Sequence, residues 1–214
     1  SVMCILFLKE SRSQGSVGVS QKFTLMPWKN INGSLRIYFF SWGLFALCNS
    51  SDAFLILKSK AIGMSTKEMV LVYCFYNLVY SCLSPLLGRL SDSMSRKAIL
   101  VAGFLVYTSV YVGFARATSP IQIWVLFLIY GLYMAATDGV GKALAVDLSQ
   151  ENQKAFTLGA LGTITGVATV FASTTAGFLW DIFGPSSTFY FGGLGGLLAV
   201  TGLVFLQPNK AITR

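Results

Sequence analysis

The sequence predicts an all-α membrane protein, and three observations support this fold class. Of its 214 residues, 54% are hydrophobic and 11% are charged, whereas a soluble domain carries about 25% charged residues. The apolar residues form six stretches of the length needed to cross a bilayer, about 20 residues each. The alternating pattern of a membrane β-barrel, with a period of two residues, is not found along the chain. We therefore expect six transmembrane helices.

Short polar segments rich in Gly, Pro and Ser separate the six predicted spans, as turns require. In chain order, the spans are residues 35–57, 67–88, 97–115, 121–147, 155–180 and 188–206. Before them, the apolar run SVMCILFL at residues 1–8 is too short to cross a bilayer, and we interpret it as the end of a preceding transmembrane helix. Residues 9–34 then predict a cytoplasmic central linker, residues 35–206 a six-helix bundle, and residues 207–214 a cytoplasmic tail.

The basic residues lie mostly at one end of the predicted bundle. Cytoplasmic loops carry an excess of Lys and Arg, so we assign this end and both termini to the cytoplasm of a cell membrane, which in a bacterium is the inner membrane. Such loops explain the net charge of +8, and we expect no nucleic-acid partner. The basic residues at the cytoplasmic end are Lys9, Arg12, Lys22, Lys29, Arg36, Arg89, Arg96, Lys97, Lys142, Lys154, Lys210 and Arg214. Those at the opposite end are Lys58, Lys60, Lys67 and Arg116.

The sequence gives little support to metal, redox or catalytic chemistry. It contains no histidine. Its cysteines, Cys4, Cys48, Cys74 and Cys82, lie in apolar stretches without a CxxC motif, and we interpret them as small core residues. An intramembrane enzyme would need clustered nucleophiles or metal ligands within the spans, and an ATP-driven pump would need a nucleotide-binding loop. We expect no catalytic residue, no metal and no cofactor.

The most charged connection is GRLSDSMSRK at residues 88–97, between the second and third spans. Small residues such as Gly88 suit a sharp reversal, and Asp92 suits a helix N-terminus, where unpaired backbone N–H groups favour an anion. Arg96 and Lys97 suit the cytoplasmic headgroup region. On these grounds alone, a generic positively charged loop explains the segment as well as a specific function does.

This segment resembles the loop signature of the major facilitator superfamily, G-x-L-A/S-D-x-x-G-R-K, with Ser95 in place of the usual glycine. The matching residues are Gly88, Leu90, Ser91, Asp92, Arg96 and Lys97. The segments YGLYMAATDGVGKALAVDL and GFLWDIFGP are also similar to this superfamily. The resemblance covers nearly the whole chain. It implies the C-terminal six-helix half of a twelve-helix transporter, with the N-terminal six-helix half as its missing partner.

The resemblance also implies roles for these charges. Arg96 would pair with Asp147 at the cytoplasmic end of the fourth span, and Asp92 would contact the missing half. Together with Gly88 and Lys97, these residues would form a conformational latch rather than a substrate site. The first and fourth spans would line the cavity and the third and sixth would face lipid.

Charged residues within the spans are candidates for substrate binding or proton coupling, since each costs about 2.5–3.5 kcal/mol at the centre of a span. Asp52 lies roughly 25 Å along the first span, with Asn49 one turn before it. The alternative is that Asp52 lies at the membrane interface, where its carboxylate balances the charge of Lys58. Asp138 and Lys142 in the fourth span have the spacing of a helical ion pair. This pair is either packed between helices or borders a water-filled pathway.

Tyr130, Tyr133, Met134 and Thr137 surround Asp138 at helical spacing, and offer either solute contacts or aromatic packing. Small residues in the last two spans allow close helix approach. These are Gly159, Gly162 and Gly166 in the fifth span, and Gly192, Gly193, Gly195 and Gly196 in the sixth.

The sequence therefore predicts a secondary transporter that moves a small solute across the lipid bilayer by alternating access. The intramembrane carboxylates are the candidates for proton coupling. A half-protein that does not transport, either a truncated remnant or an interaction partner, is the alternative. Neither the solute nor the direction of coupling follows from the residues.

Overall fold

A computed structural model describes residues 31–206 of the chain. Within them, seven α-helices make six segments of membrane-spanning length, which confirms the predicted all-α membrane fold. The helices are α1 (Gly33–Cys48), α2 (Ala53–Ala61), α3 (Thr66–Ser93), α4 (Arg96–Arg116), α5 (Pro120–Asp147), α6 (Lys154–Phe183) and α7 (Pro185–Phe205), and a 3₁₀ helix covers Glu151–Gln153. The predicted helix end at 1–8, most of the linker at 9–34 and the tail at 207–214 lie outside the described residues.

Local sequence signals set several helix ends. The hydroxyl of Ser65 accepts a hydrogen bond from the backbone N–H of Glu68, whose carboxylate accepts one from the Ser65 N–H, so a capping box starts α3. Pro120 occupies the first turn of α5, where its missing N–H costs nothing. Gly184 separates α6 from α7 with a φ of 85°, a conformation that favours glycine because it has no Cβ.

The first predicted span is not one continuous helix, which corrects the sequence interpretation. α1 ends at Cys48 and α2 begins at Ala53, and the four residues between them are polar. Asn, Ser and Asp side chains compete with the helix for backbone groups, which favours a break here. The backbone N–H of Ser51 donates instead to the Ser173 hydroxyl on α6, at 3.2 Å. The prediction that Asn49 and Asp52 lie one turn apart on a helical face is therefore wrong.

The connection between the second and third spans is also shorter than predicted. α3 continues to Ser93 and α4 begins at Arg96, so most of residues 88–97 are helical. Asp92 lies in the last turn of α3 and, among residues 31–206, caps no helix N-terminus, so the expectation that it starts the following helix is wrong. Ser95 has a φ of −63°, a value that any residue adopts, so this turn does not need the glycine of the signature.

Helices α4 and α5 have the most enclosed central residues of the described bundle, and those of α3 and α6 are the most exposed. α4 packs against α5 and α7, and α7 packs against α1 as well. α3 rests mainly on α5, and α6 rests on α1 and α7. α4 and α7, which the resemblance places towards lipid, bury roughly half of their central residues and expose outward residues such as Leu105 and Leu194.

Candidate functional site

Arg96 ties together three helices at one end of the bundle. Its Nη1 donates to Asp147 Oδ2 at 2.8 Å, and its Nη2 donates to Asp92 Oδ1 at 2.7 Å. Such charge-assisted bonds are stronger than neutral ones, and the guanidinium can serve two carboxylates at once. The cluster therefore links the end of α3, the start of α4 and the end of α5, and it contains the Arg96–Asp147 pair that the resemblance implied.

Lys97, unlike Arg96, bonds to backbone carbonyls and not to carboxylates. Its Nζ donates to the backbone carbonyls of Val204, at 3.1 Å, and Leu206, at 2.6 Å. The last carbonyls of a helix lack partners within the helix and lie at the negative end of its dipole. Lys97 therefore caps α7, a contact that sequence reasoning missed because more than 100 residues separate the partners. Gly88 lies inside α3, with open space where a Cβ would stand.

Asp138 accepts two hydrogen bonds near the same end of the bundle. Lys142 Nζ donates to Oδ1 at 2.7 Å, in the ion pair that the helical spacing predicted, and the Tyr80 hydroxyl donates to Oδ2 at 2.9 Å. The side chains of Asp138 and Lys142 are 38% and 57% exposed. Sequence reasoning missed Tyr80, although Tyr73, Tyr76 and Tyr80 recur at helical spacing along α3.

The break between α1 and α2 lies among five buried tyrosines, here called the tyrosine cluster. Asp52 accepts a hydrogen bond from Tyr130 at 2.7 Å and one from Tyr76 at 3.1 Å. Asn49 Oδ1 accepts bonds from two other cluster hydroxyls, at 3.2 and 3.3 Å. Three pairs of neighbouring cluster rings have centroids 4.8 to 5.4 Å apart, within the range of favourable aromatic contacts, and a fourth pair lies closer, at 4.1 Å. The cluster consists of Tyr76, Tyr107, Tyr111, Tyr130 and Tyr133.

The tyrosines expected around Asp138 have different partners. Tyr130 bonds to Asp52. Tyr133 is 2% exposed and packs against the rings of Phe45, Tyr107 and Tyr130, which agrees with the aromatic-packing alternative for this residue. The alternative for Asp52 also finds no support, since the described residues show no ion pair between Asp52 and Lys58.

The cysteine interpretation holds for one residue only. Cys48 is buried, but Cys74 and Cys82 are exposed on α3, so the prediction of core positions is wrong for these two. Cys4 lies outside the described residues. Within residues 31–206, no group of three His, Cys, Asp or Glu side chains could hold a metal ion.

Six membrane-length helices, an ionic cluster at one end and carboxylates within the spans are typical of a multi-pass membrane transporter. A family model described as Major Facilitator Superfamily matches residues 37–214. The chain belongs to this superfamily, as the signature at residues 88–97 indicated.

Several curated proteins are similar to the chain. An uncharacterized MFS-type transporter of Methanocaldococcus jannaschii is 33% identical over 208 residues, covering 94% of this chain and 51% of the relative. The uncharacterized MFS-type transporter YitZ of Bacillus subtilis is 25% identical, covering 73% of the chain and 94% of the relative. Quinolone resistance protein NorA of Staphylococcus aureus is 24% identical, covering 72% of the chain and 40% of the relative. The chain thus spans about half the length of the Methanocaldococcus relative.

Proposed function

We propose that the chain is the C-terminal half of a secondary transporter that moves a small solute by alternating access. Membership of a transporter superfamily supports this proposal. In it, the Arg96 end of the bundle faces the cytoplasm, residues 1–8 end a preceding helix, residues 9–34 link the two halves, and residues 207–214 form a cytoplasmic tail. In a bacterium the protein would lie in the inner membrane.

One observation carries the proposal: the exposed polar group at Asp138. This residue lies nine residues before the end of α5, about 14 Å along the helix axis. The hydrocarbon core is about 30 Å thick, and α5 has 28 residues, about 42 Å, so Asp138 lies inside the core. Facing lipid there, a carboxylate would cost about 2.5–3.5 kcal/mol. Its exposed side therefore needs a protein partner or a water-filled path.

The same reasoning favours the N-terminal six-helix half as the partner. α3 and α6 bury only 11% and 22% of their central residues in the described bundle, and the Methanocaldococcus relative is about twice as long as the chain. A second half-bundle seated on these two helices would cover them and enclose Asp138. The solute path would then run between the halves, past Asp138, Lys142 and Tyr80.

The two carboxylates differ in what they offer a solute or a proton. Asp138 is partly exposed and pairs with Lys142. Asp52 accepts bonds from buried phenols, and no basic side chain bonds to it in the part of the chain that the structure describes. We assign solute contact or proton coupling first to Asp138 and second to Asp52 with Asn49.

Transport is tested with the protein expressed from the complete reading frame that contains this chain. Purified protein in liposomes with an internal pH-sensitive dye is exposed to a panel of solutes. A quinolone comes first, because one relative is named for quinolone resistance. We expect one or more solutes to cause flux, and Asp138→Asn to lower it about tenfold or shift its pH profile. Leu128→Asn, ten residues before Asp138 on the same helix, controls for a polar change in α5.

The absence of flux with every solute would favour the half-protein alternative, which the upstream reading frame tests independently. Five further spans and a second signature upstream of Ser1 would support a complete transporter. A start codon close to Ser1 without further spans would contradict it.

The cluster of Asp92, Arg96 and Asp147, with Gly88 and Lys97 beside it, is the proposed conformational latch. Asp92 is its most exposed carboxylate, which suits a group that exchanges partners with the other half. We expect Asp92→Asn to slow turnover about tenfold while solute affinity stays within twofold. Ser93→Asn, a neighbouring exposed change, is the control. Normal turnover of Asp92→Asn in the same liposomes would contradict the latch.

A further inference from the structure

A groove lies at the other end of the bundle, where α4 ends and α5 begins. Its volume is about 360 Å³. Its outer lining includes Arg116 and Gln122, and its inner lining includes Gly113, Val125 and Leu126. Because α4 and α5 run in opposite directions, Gly113 lies about 4.5 Å deeper than Arg116, and Val125 about 4.5 Å deeper than Gln122. The groove is thus polar at its mouth and apolar towards the membrane centre.

Arg116 is a cation at the mouth that forms no ion pair with residues 31–206. The structure shows it exposed and without an ion pair or hydrogen bond among these residues. Nor is it needed to cap the carbonyl beside it, because the Ser186 hydroxyl donates to the Ala115 carbonyl at 2.7 Å. The guanidinium is therefore available to an anion, and its planar fork fits a phosphate group.

The wall of the groove on α5, formed by Ile121 and Val125, is apolar and exposed in the described bundle. These two residues are 77% and 49% exposed, and Leu128, just beyond the groove, is 42% exposed. Their spacing of four and three residues places all three on one face of α5. Asp138 and Lys142 lie about three and four turns beyond Leu128, towards the opposite end of α5. An apolar stripe that begins beside an unneutralised arginine matches a molecule with an anionic head and a hydrocarbon chain.

We propose that this groove binds one phospholipid with an anionic headgroup, from the leaflet at the Arg116 end of the bundle. The lipid phosphate accepts hydrogen bonds from the Arg116 guanidinium, and one acyl chain lies along Val125 and Ile121. Gln122 borders the headgroup, held in place because its Oε1 accepts bonds from the backbone N–H groups of Thr118 and Ser119. This proposal does not depend on solute transport.

Native mass spectrometry of the detergent-purified protein, titrated with phosphatidylglycerol, tests the proposal. We expect Arg116→Gln to weaken binding of the tightest lipid about fivefold, the contribution of one interfacial cation to an anionic lipid. Lys60→Gln removes an exposed cation from the same end of the bundle, outside the groove, and should leave the affinity unchanged. Equal lipid affinity in Arg116→Gln and the wild-type protein would overturn the proposal.

A second pair of variants tests the acyl chain. Val125→Trp fills the apolar part of the groove and keeps Arg116, so it should also weaken lipid binding, whereas Leu128→Trp, one turn further along, should not. Inorganic phosphate separates a lipid site from a simple anion site. Displacement of the lipid by phosphate alone, with no effect of Val125→Trp, would overturn the lipid assignment in favour of free phosphate.

Discussion

The last two long helices carry similar glycine patterns but use them in opposite ways. On α7, a Cβ at four of the glycines would stand far inside van der Waals contact with a neighbouring helix. On α6, the space at three glycines is open, with no heavy atom of a neighbouring element within 4 Å among the described residues. The α7 glycines and the residues that such a Cβ would meet are Gly192 with Tyr111, Gly195 with Cys48, Gly196 with Thr108 and Gly202 with Ser41, and the open α6 positions are Gly159, Gly162 and Gly166.

This difference shows that a small-residue motif indicates where another helix can approach closely, but not whether a helix does so. Helices in lipid associate through packing, and glycine allows their backbones to come close. The α7 glycines form a seam inside the half-bundle, against α1 and α4. The open α6 glycines fit the proposal that a second half-bundle packs there.

The largest expected effect is the difference in stability between alanine variants of the α7 glycines and of the α6 glycines. Gly195→Ala forces α7 away from α1 at Cys48, and overpacking of this kind costs about 1–3 kcal/mol. Gly162→Ala adds a methyl group in open space and improves helix propensity by up to about 1 kcal/mol. Thermal unfolding of the two variants in detergent should therefore show a lower midpoint for Gly195→Ala and an unchanged or higher one for Gly162→Ala.

A stability loss in Gly162→Ala equal to that of Gly195→Ala would break the comparison, because the α6 face would then be packed within the chain. Gly88→Ala is a further control, since it also adds a methyl group in open space within a helix.

A smaller effect is expected at the end of α7. Lys97→Met removes the hydrogen bonds to the Val204 and Leu206 carbonyls while keeping a long side chain. Because these bonds lie partly in solvent, we expect their loss to increase opening of the last turn of α7 about fivefold, roughly 1 kcal/mol. Hydrogen–deuterium exchange of peptides covering residues 198–206 measures this change.

The matched control is Lys154→Met at the start of α6, where Lys154 pairs with Glu151. It should leave exchange at the end of α7 as it was. If exchange is unchanged in Lys97→Met, the end of α7 is held by the packing of its glycines against α1 and α4 and not by the Lys97 hydrogen bonds.

Most of the fold follows from the sequence, since its signals are local. The lengths of apolar runs and their polar separators located all six spans to within a few residues. The Asp138–Lys142 pair followed from helical spacing, and the contact between Arg96 and Asp147 followed from a resemblance that covers nearly the whole chain.

The tertiary contacts of the site could not be predicted in this way. The break after Cys48 results from a run of four polar residues whose backbone groups find partners elsewhere, as Ser51 does on α6. Neither the bond between Tyr80 and Asp138 nor the capping of α7 by Lys97 has a signal at short range. Such contacts depend on which helices become neighbours.

The two exposed thiols of α3 have a practical consequence. Cys74 and Cys82 lie eight residues apart, about 12 Å along the helix axis, on a helix that the described bundle leaves largely uncovered. Cys48 is buried, so a maleimide applied to the folded protein would report on α3 with little background from α1. Within residues 31–206, the chain thus carries two natural labelling positions whose protection, compared in lipid, in detergent and beside a partner, would show what covers this helix; Cys4 is replaced by serine for this experiment.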